Sequence, residues 1–179
     1  MPTPVGHAVG GAAAGLLTLA TRRAPATLPV IAGLGVLATA PDLDLLLGSH
    51  RTYTHSVGAV VAIGVLAWLV LRGTRHRLVT SLAAAAAYGS HLLLDWLGKD
   101  SSVPPGEMAL WPFSSKFHIS GLDLFREVSR RYWNPEEFIF GNLRAVGWEL
   151  ILLVPVAALA WWVTRLRTQN EERRTKNEL

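Results

Sequence analysis

The sequence predicts an all-helical, polytopic membrane bundle of about five apolar helices, completed by one interfacial loop or helical segment. Of the 179 residues, 50% are hydrophobic and only 17% are charged, below the proportion of roughly a quarter that is typical of soluble domains. The apolar residues come in blocks rather than alternating with polar ones, which favours helices in a bilayer over strands. The length suits one domain. We therefore expect a single membrane-embedded domain over residues 1–164 and a basic polar tail over 165–179.

The prediction of a bundle rests on five apolar blocks. Each block is near or a little short of the roughly 20 residues that a full span needs. They lie at residues 5–20, 28–40, 56–71, 78–97 and 148–164. Whether the first two span fully is open at this point, because they could be short, tilted or partly re-entrant. Pro41 should end the second block at Ala40, because a residue before proline disfavours helical backbone. The alanine-rich fourth block should pack closely on its neighbours.

The long segment 98–147 is polar and aromatic, and we expect it to be ordered outside the bilayer, where it completes the site. Leu122, Phe125, Val128 and Tyr132 recur at helical spacing within it. This pattern is typical of an amphipathic helix on the membrane interface, and also of a stripe that packs on the protein itself.

Arginine and lysine in short loops indicate the cytoplasmic side of a membrane protein. The basic residues cluster at 22–23, 72–77 and 165–176, which fall on one side of a five-span arrangement. The sequence therefore predicts a multi-pass inner-membrane protein with a cytoplasmic C-terminus and with 41–55 and 98–147 on the opposite face. Because topology explains the net charge of +4 and the pI near 10.0, the expected partner is the bilayer and not nucleic acid. Nothing in the pattern indicates an oligomeric state.

The chain contains no cysteine, so any metal must be held by nitrogen and oxygen atoms. His91 and Asp95, in SHLLLDW, lie four residues apart on one face of an apolar helix. An ionisable residue inside a span is rare without a partner, and a divalent cation satisfies an imidazole and a carboxylate together. The alternative is that the two side chains only hydrogen-bond each other within the bundle.

The connection PDLDLLLGSHRTYTHS gathers two aspartates and two histidines between apolar blocks, and it also contains an arginine. These residues are Asp42, Asp44, His50, Arg51 and His55. A solvated loop with a helix cap at Asp42 is the alternative to a metal site here. In the five-span arrangement, His7 and the end of the fourth helix reach the same face as this connection. Asp100 is a weaker candidate ligand, while His76 and His118 are expected to lie outside the site.

The predicted ligand set is too large for one tetrahedral zinc ion, which takes four ligands, so two or more divalent ions are expected. It comprises His7, Asp42, Asp44, His50, His55, His91, Asp95 and Asp100. Zinc is the expected metal, with manganese or magnesium as alternatives. Such ions activate water and stabilise the charge of a phosphoester displacement. Arg51 and Asp95 are the candidate catalytic residues, since Arg51 could bind a phosphate oxygen. The alternative for Arg51 is a charge that serves membrane topology or contacts a lipid headgroup.

Two other classes of function remain open at this point. The first is a metal-ion transporter, which would need polar residues that continue through its spans. The second is a scaffold whose structural metal ties helices together, and such a site would leave no coordination position for water.

At these residues the chain resembles the bacterial membrane-bound, metal-dependent hydrolases described as LexA-regulated. The resemblance rests on His7 and on PDLD, HRTYTHS, HLLLDWLGKD and LWPFS, which occur in this order at 41–44, 50–56, 91–100 and 110–114. It implies an inner-membrane hydrolase whose histidines and aspartates bind metal. It does not imply a particular substrate.

A more distant similarity is to zinc-dependent bacterial phospholipase C, a helical enzyme with a multinuclear zinc site that also uses a histidine and an aspartate four residues apart. The chain departs from that enzyme in its apolar spans and in the order of its other ligands. By analogy, this similarity implies phosphoester chemistry on a phospholipid or lipid-linked substrate. From about residue 115 onward no motif matches either family.

Overall fold

The computed structural model describes residues 1–21, 24–48 and 50–177, and over these residues the chain is helical with no β-strand. The expected all-helical class is therefore confirmed. The helices are α1 (Pro4–Thr21), α2 (Leu28–Ala38), a 3-10 helix (Ala40–Leu47), α3 (Val57–Val70), α4 (Arg77–Leu97), a π-helical turn (Glu137–Gly141) and α5 (Asn142–Asn177).

Helix α1 lies at the centre and packs against α2, α4 and α5, while α3 packs only against α4 among the described helices. At the crossing of α1 and α2, Gly11 leaves no room for a methyl group beside Ala38, so the two backbones approach closely. One apolar core joins α1, α2 and α4 and contains Leu19, Ala24, Leu34, Val79, Ala83 and Ala87. This packing fixes the relative positions of the three helices that carry the polar cluster described below.

Fewer helices than expected are long and apolar enough to cross a membrane. Within the described residues, one helical stretch meets this requirement by itself, Glu137–Arg167. The helix α2 and the 3-10 helix are bent by 42° relative to each other, and they form a second candidate if the pair counts as one span. The expectation of five spanning helices is wrong by length and composition. With 11 and 14 residues, α2 and α3 are about 16 and about 21 Å long, against a hydrocarbon core of about 30 Å.

The long apolar stretch of α5 lies mostly on the surface of the molecule. Only 17% of its most apolar window is buried, and its large side chains, such as Ile151 and Trp162, are exposed. A core helix of a soluble domain would bury such residues. Helix α5 also continues without a break beyond residue 164, so residues 165–177 extend this helix instead of forming a separate tail.

The segment predicted as a possible amphipathic helix is not helical. Leu124 and Lys99 donate backbone hydrogen bonds to Leu97 and Phe125, and Asp123 has a positive φ of 50°. Phe125 is buried, whereas Leu122 and Tyr132 are exposed. Backbone pairing with the end of α4 outweighs the helical spacing of the apolar residues, so the interfacial helix is not formed and Phe125 instead packs on the protein.

Candidate metal centre

Four segments bring the predicted ligands to one end of the bundle. His7 lies in the first turns of α1, and His91 and Asp95 lie in the last turns of α4. Asp42 lies on the 3-10 helix, and His55 lies just before α3. Because α1 and α4 place opposite ends at this position, residues far apart in sequence meet there.

The local backbone explains why the connection folds back onto the helices. Pro41 follows the end of α2, and the chain continues as a 3-10 helix that ends at Gly48, whose φ is 74°. Arg51 has a φ of 64°, a left-handed conformation that is uncommon for residues other than glycine. Ser56 then caps α3, because its hydroxyl accepts a hydrogen bond from the Ala59 amide at 3.2 Å.

Asp95 lies at the centre of the cluster and is only 1% exposed. Its carboxylate oxygens lie 3.2 Å from His7 Nε2, 3.3 Å from His91 Nε2 and 3.7 Å from His55 Nε2. Neither oxygen has a hydrogen-bond partner of adequate geometry among the described residues. A buried carboxylate without such a partner is costly, so this arrangement favours a cation between the carboxylate and the imidazoles.

His91 is oriented by the backbone of α2. Its Nδ1 lies 2.7 Å from the carbonyl oxygen of Ala38, so Nδ1 carries the proton and donates it to this oxygen. Its Nε2 lone pair consequently points into the cluster, 3.1 Å from His55 Nε2. Metal-ligating histidines commonly use one ring nitrogen in this way to fix the orientation of the other.

Asp42 and Asp44 lie on opposite edges of the His55 ring. Asp42 Oδ1 lies 3.7 Å from His55 Nε2 and 3.7 Å from His91 Nε2, whereas Asp44 Oδ2 lies 3.2 Å from His55 Nδ1. Asp44 also contacts His50 Nδ1 at 2.8 Å and accepts hydrogen bonds from the Thr54 hydroxyl and the Arg51 amide. With its oxygens used in this way, Asp44 orients two histidines and is not placed as a direct ligand.

The distances between the candidate donor atoms fit divalent metal binding. Three overlapping groups have ligand atoms within 4.8 Å of one another: His7, Asp42 and His91; Asp42, His50 and His55; and His55, His91 and Asp95. Ligands about 2.0 Å from a tetrahedral zinc ion stand about 3.3 Å apart, close to the separations around Asp95. The donor set contains only nitrogen and oxygen and suits two ions that share ligands.

Asp100, the weaker predicted ligand, does not join the three groups. Its carboxylate binds the Arg51 guanidinium and accepts hydrogen bonds from Ser102 and from the Gly106 amide. Burial raises the pKa of Asp100, but these hydrogen bonds and the Arg51 charge outweigh burial and lower the pKa overall. Asp100 therefore positions Arg51. His76 and His118 also lie outside these groups.

A basic groove begins beside the candidate metal centre and has a volume of about 950 Å³. Arg130 lies at the junction, since its guanidinium donates a hydrogen bond to His50 Nε2 at 3.2 Å. The cationic side chains of the groove are Arg51, Lys99, Arg126, Arg130, Arg131 and Arg144, and its acidic ones are Asp100, Asp123, Glu127 and Glu137. Arg130 was not predicted, because nothing in its local sequence links it to a histidine 80 residues earlier.

Metal binding is expected to strengthen as the pH rises. Burial lowers the pKa of His55, but the nearby carboxylates of Asp42 and Asp44 outweigh burial and raise it to about 9 in the metal-free chain. A metal needs the neutral imidazole, so binding at neutral pH must release this proton. For each proton that the metal displaces, the apparent affinity for zinc should fall about tenfold per pH unit below about pH 9. Calorimetry in buffers of different ionisation enthalpy measures the number of protons released on zinc binding. If the affinity for zinc is the same at roughly pH 6 and roughly pH 8, the expectation is wrong.

Together, the surface-exposed apolar helix and the buried histidine–aspartate cluster define the class: an all-helical, membrane-associated protein with a candidate metal centre. Residues 1–170 match the family described as YdjM inner membrane protein, and the chain belongs to this family. The predicted inner-membrane association is thereby supported. No curated protein and no solved structure matches the chain.

Proposed function

We propose that this protein is a membrane-bound, metal-dependent hydrolase of a phosphoester in a lipid or lipid-linked substrate. The observation that carries the proposal is the buried Asp95 carboxylate, which faces three imidazole nitrogens. A groove with several cationic side chains lies next to this cluster, and its Arg130 contacts His50. Carboxylates and imidazoles in this number suit a pair of divalent ions, with zinc first and manganese or magnesium as alternatives.

The residues around the cluster divide into those that hold metal and those that bind substrate. His7, Asp42, His55, His91 and Asp95 would hold the ions, while His50, whose two ring nitrogens contact Asp44 and Arg130, would support the site beside them. A bound divalent pair supplies activation of water and stabilisation of negative charge. Arg51, fixed by Asp100, and Arg130, beside His50, face the groove and bind phosphate oxygens. Guanidinium groups suit this task because they donate two parallel hydrogen bonds to a phosphate.

The proposed site faces the non-cytoplasmic side of the inner membrane. The connection between α3 and α4 contains Arg72 and Arg75 and lies at the opposite end of these helices from the cluster. Arginine-rich loops favour the cytoplasm. The clusters at 22–23 and 173–176 support the same orientation by sequence alone, since the structure describes neither residues 22–23 nor the side chains from 171 onward. In this proposal the hairpin of α3 and α4 crosses the membrane beside α5, and the bilayer thins around the short α3.

The position of the cluster favours catalysis over transport. Helix α3 contains no ionisable residue, and the candidate ligands gather at one end of α1 and α4. A transporter would need polar groups that continue along the path of the ion. A scaffold would need a closed coordination sphere, whereas the groove at Arg51 and Arg130 reaches the edge of the cluster.

Metal analysis with a substrate panel tests this proposal. Purified protein should retain about two divalent ions per chain and should hydrolyse a phosphomonoester, a phosphodiester or a phospholipid only when the ions are present. Arg130→Ala should lower kcat/KM by about 10- to 100-fold, because a charge-assisted hydrogen bond to phosphate is lost, and should leave the metal content unchanged.

Arg72→Ala is the matched control, since it removes an exposed arginine from the far end of the bundle and should change neither quantity. Activity that survives complete metal removal, or metal-loaded protein that hydrolyses none of the three substrate classes, would overturn the proposal.

A further inference from the structure

A second cavity, of about 510 Å³, lies between α3 and α4. Its lining is mainly apolar and includes Val57, Val60, Leu92, Leu93, Trp96 and Leu110. The volume lies within the range of small-molecule pockets, which is roughly 300–1,000 Å³. The cavity is distinct from the basic groove, with which it shares no lining residue.

Two polar side chains without partners line this apolar cavity. Glu107 is completely buried, and neither of its carboxylate oxygens has a hydrogen-bond partner within the described residues. His118 Nε2 is also buried without a partner there. The two residues are neighbours, because the amide of His118 donates to the Glu107 carbonyl at 2.8 Å and the reverse bond measures 3.1 Å. Buried polar groups without partners are costly, so an occupant that hydrogen-bonds them would be favoured.

The cavity adjoins the candidate metal centre. Leu92 and Trp96 directly follow His91 and Asp95 on α4, and Val57 lies two residues after His55. Burial raises the pKa of Glu107 well above its usual range, and the nearby Asp95 charge raises it further. The Glu107 carboxyl is thus held toward its protonated form, in which one oxygen donates a hydrogen bond.

The outer surface around the cavity is suited to lipid. Helix α3 buries none of its residues, and Val61, Val65 and Leu93 are each more than half exposed. Large exposed apolar surfaces are unusual on soluble proteins and mark contacts with membranes or partners. In a member of an inner-membrane family, this face lies against acyl chains.

We propose that the cavity binds one acyl chain of an ester-linked membrane lipid and that Glu107 and His118 donate hydrogen bonds to its ester carbonyl. This inference rests on the proposed function, since it places the phosphate of the same lipid at the metal centre. The two polar groups distinguish between lipid classes. An ester carbonyl lies a few bonds from the phosphate of a glycerophospholipid, whereas a polyprenyl phosphate has a pure hydrocarbon chain that would leave both groups unpaired.

Photocrosslinking to metal-free, full-length protein tests the inference without requiring turnover. The probe is phosphatidic acid with a diazirine in one acyl chain, in phosphatidylcholine vesicles. Label should appear in peptides from α3 and α4. Val60→Phe, which fills the cavity, should reduce labelling about fivefold, whereas Val61→Phe, on the exposed surface next to it, should not.

Competition with unlabelled lipids tests the role of the two polar groups. Diester phosphatidic acid should compete about fivefold better than its dialkyl ether analogue, which lacks the carbonyl. Glu107→Leu should abolish this preference, and Glu107→Gln, which keeps a donor, should restore it. Equal labelling of the Val60 and Val61 variants, or no preference for the diester in the wild-type protein, would overturn the inference. If labelling follows the expected pattern but the metal-loaded protein hydrolyses nothing, the proposed function fails and the lipid site stands.

Discussion

Replacing Asp95 with alanine is expected to remove the bound metal and abolish hydrolysis. The carboxylate faces the Nε2 atoms of His7, His55 and His91 and is only 1% exposed. Without it, three imidazoles remain close together with no central negative charge. The loss of metal affinity should exceed the roughly 10- to 100-fold that follows removal of a supporting residue. Metal content per chain after purification, measured together with phosphoester hydrolysis, provides the readout.

Three further variants distinguish a metal centre from a hydrogen-bonded pair. His91→Ala should behave like the Asp95 variant. Asp44→Asn should weaken metal binding by only about 10- to 100-fold, because Asp44 orients His50 and His55 from behind. His76→Ala, outside the cluster, should change neither metal content nor activity. Equal metal content in all four proteins would show that His91 and Asp95 are structural.

A cysteine at Val103 is expected to react with a membrane-impermeant thiol reagent in intact cells, whereas a cysteine at Thr74 should react only after the membrane is opened. Both positions are exposed, and Val103 is 94% exposed. The chain has no native cysteine, so the background is absent. The expectation follows from the arginines that flank Thr74 and from the position of Val103, three residues after Asp100 in the segment that follows α4.

The possible outcomes of this labelling separate the parts of the membrane proposal. If both cysteines react from the same side, the hairpin of α3 and α4 does not cross the membrane, and the multi-pass arrangement is wrong. If the pattern is reversed, the candidate metal centre survives, but its substrate must approach from the cytoplasm. Thr74→Ser serves as a control for the fold of this connection.

The polar cluster was largely predictable because its signals are local. His91 and Asp95 share a helix face by their spacing, and Pro41 ends α2 before Asp42, as expected. Ionisable residues among apolar ones indicate a partner even before the partner is known. The separate roles of Asp42 and Asp44 were not predictable, since they depend on which edge of the His55 ring each carboxylate meets in three dimensions.

Features that depend on distant contacts were missed. The contact of Arg130 with His50 joins residues 80 positions apart. The burial of Glu107 without a hydrogen-bond partner among the described residues could not be judged from sequence either. Residues 121–133 have helical spacing, but pairing with the end of α4 sets their backbone conformation. The number of spans was overestimated because apolar blocks predict helices more securely than they predict helix length, and α2 is ended early by Pro41.

The spread of the ligands along the chain sets an order for biosynthesis. The first candidate ligand is His7 and the last is Asp95, and none of the described candidate ligands lies on α5. The coordination sphere can therefore be complete once α4 has left the ribosome, while α5 is still being synthesised. When α5 later emerges, its Glu149 accepts hydrogen bonds from Thr3 and secures the start of α1. If the cluster binds metal as proposed, the ion can be captured before the nascent chain is released, and its capture would stabilise α1 to α4 before α5 is complete.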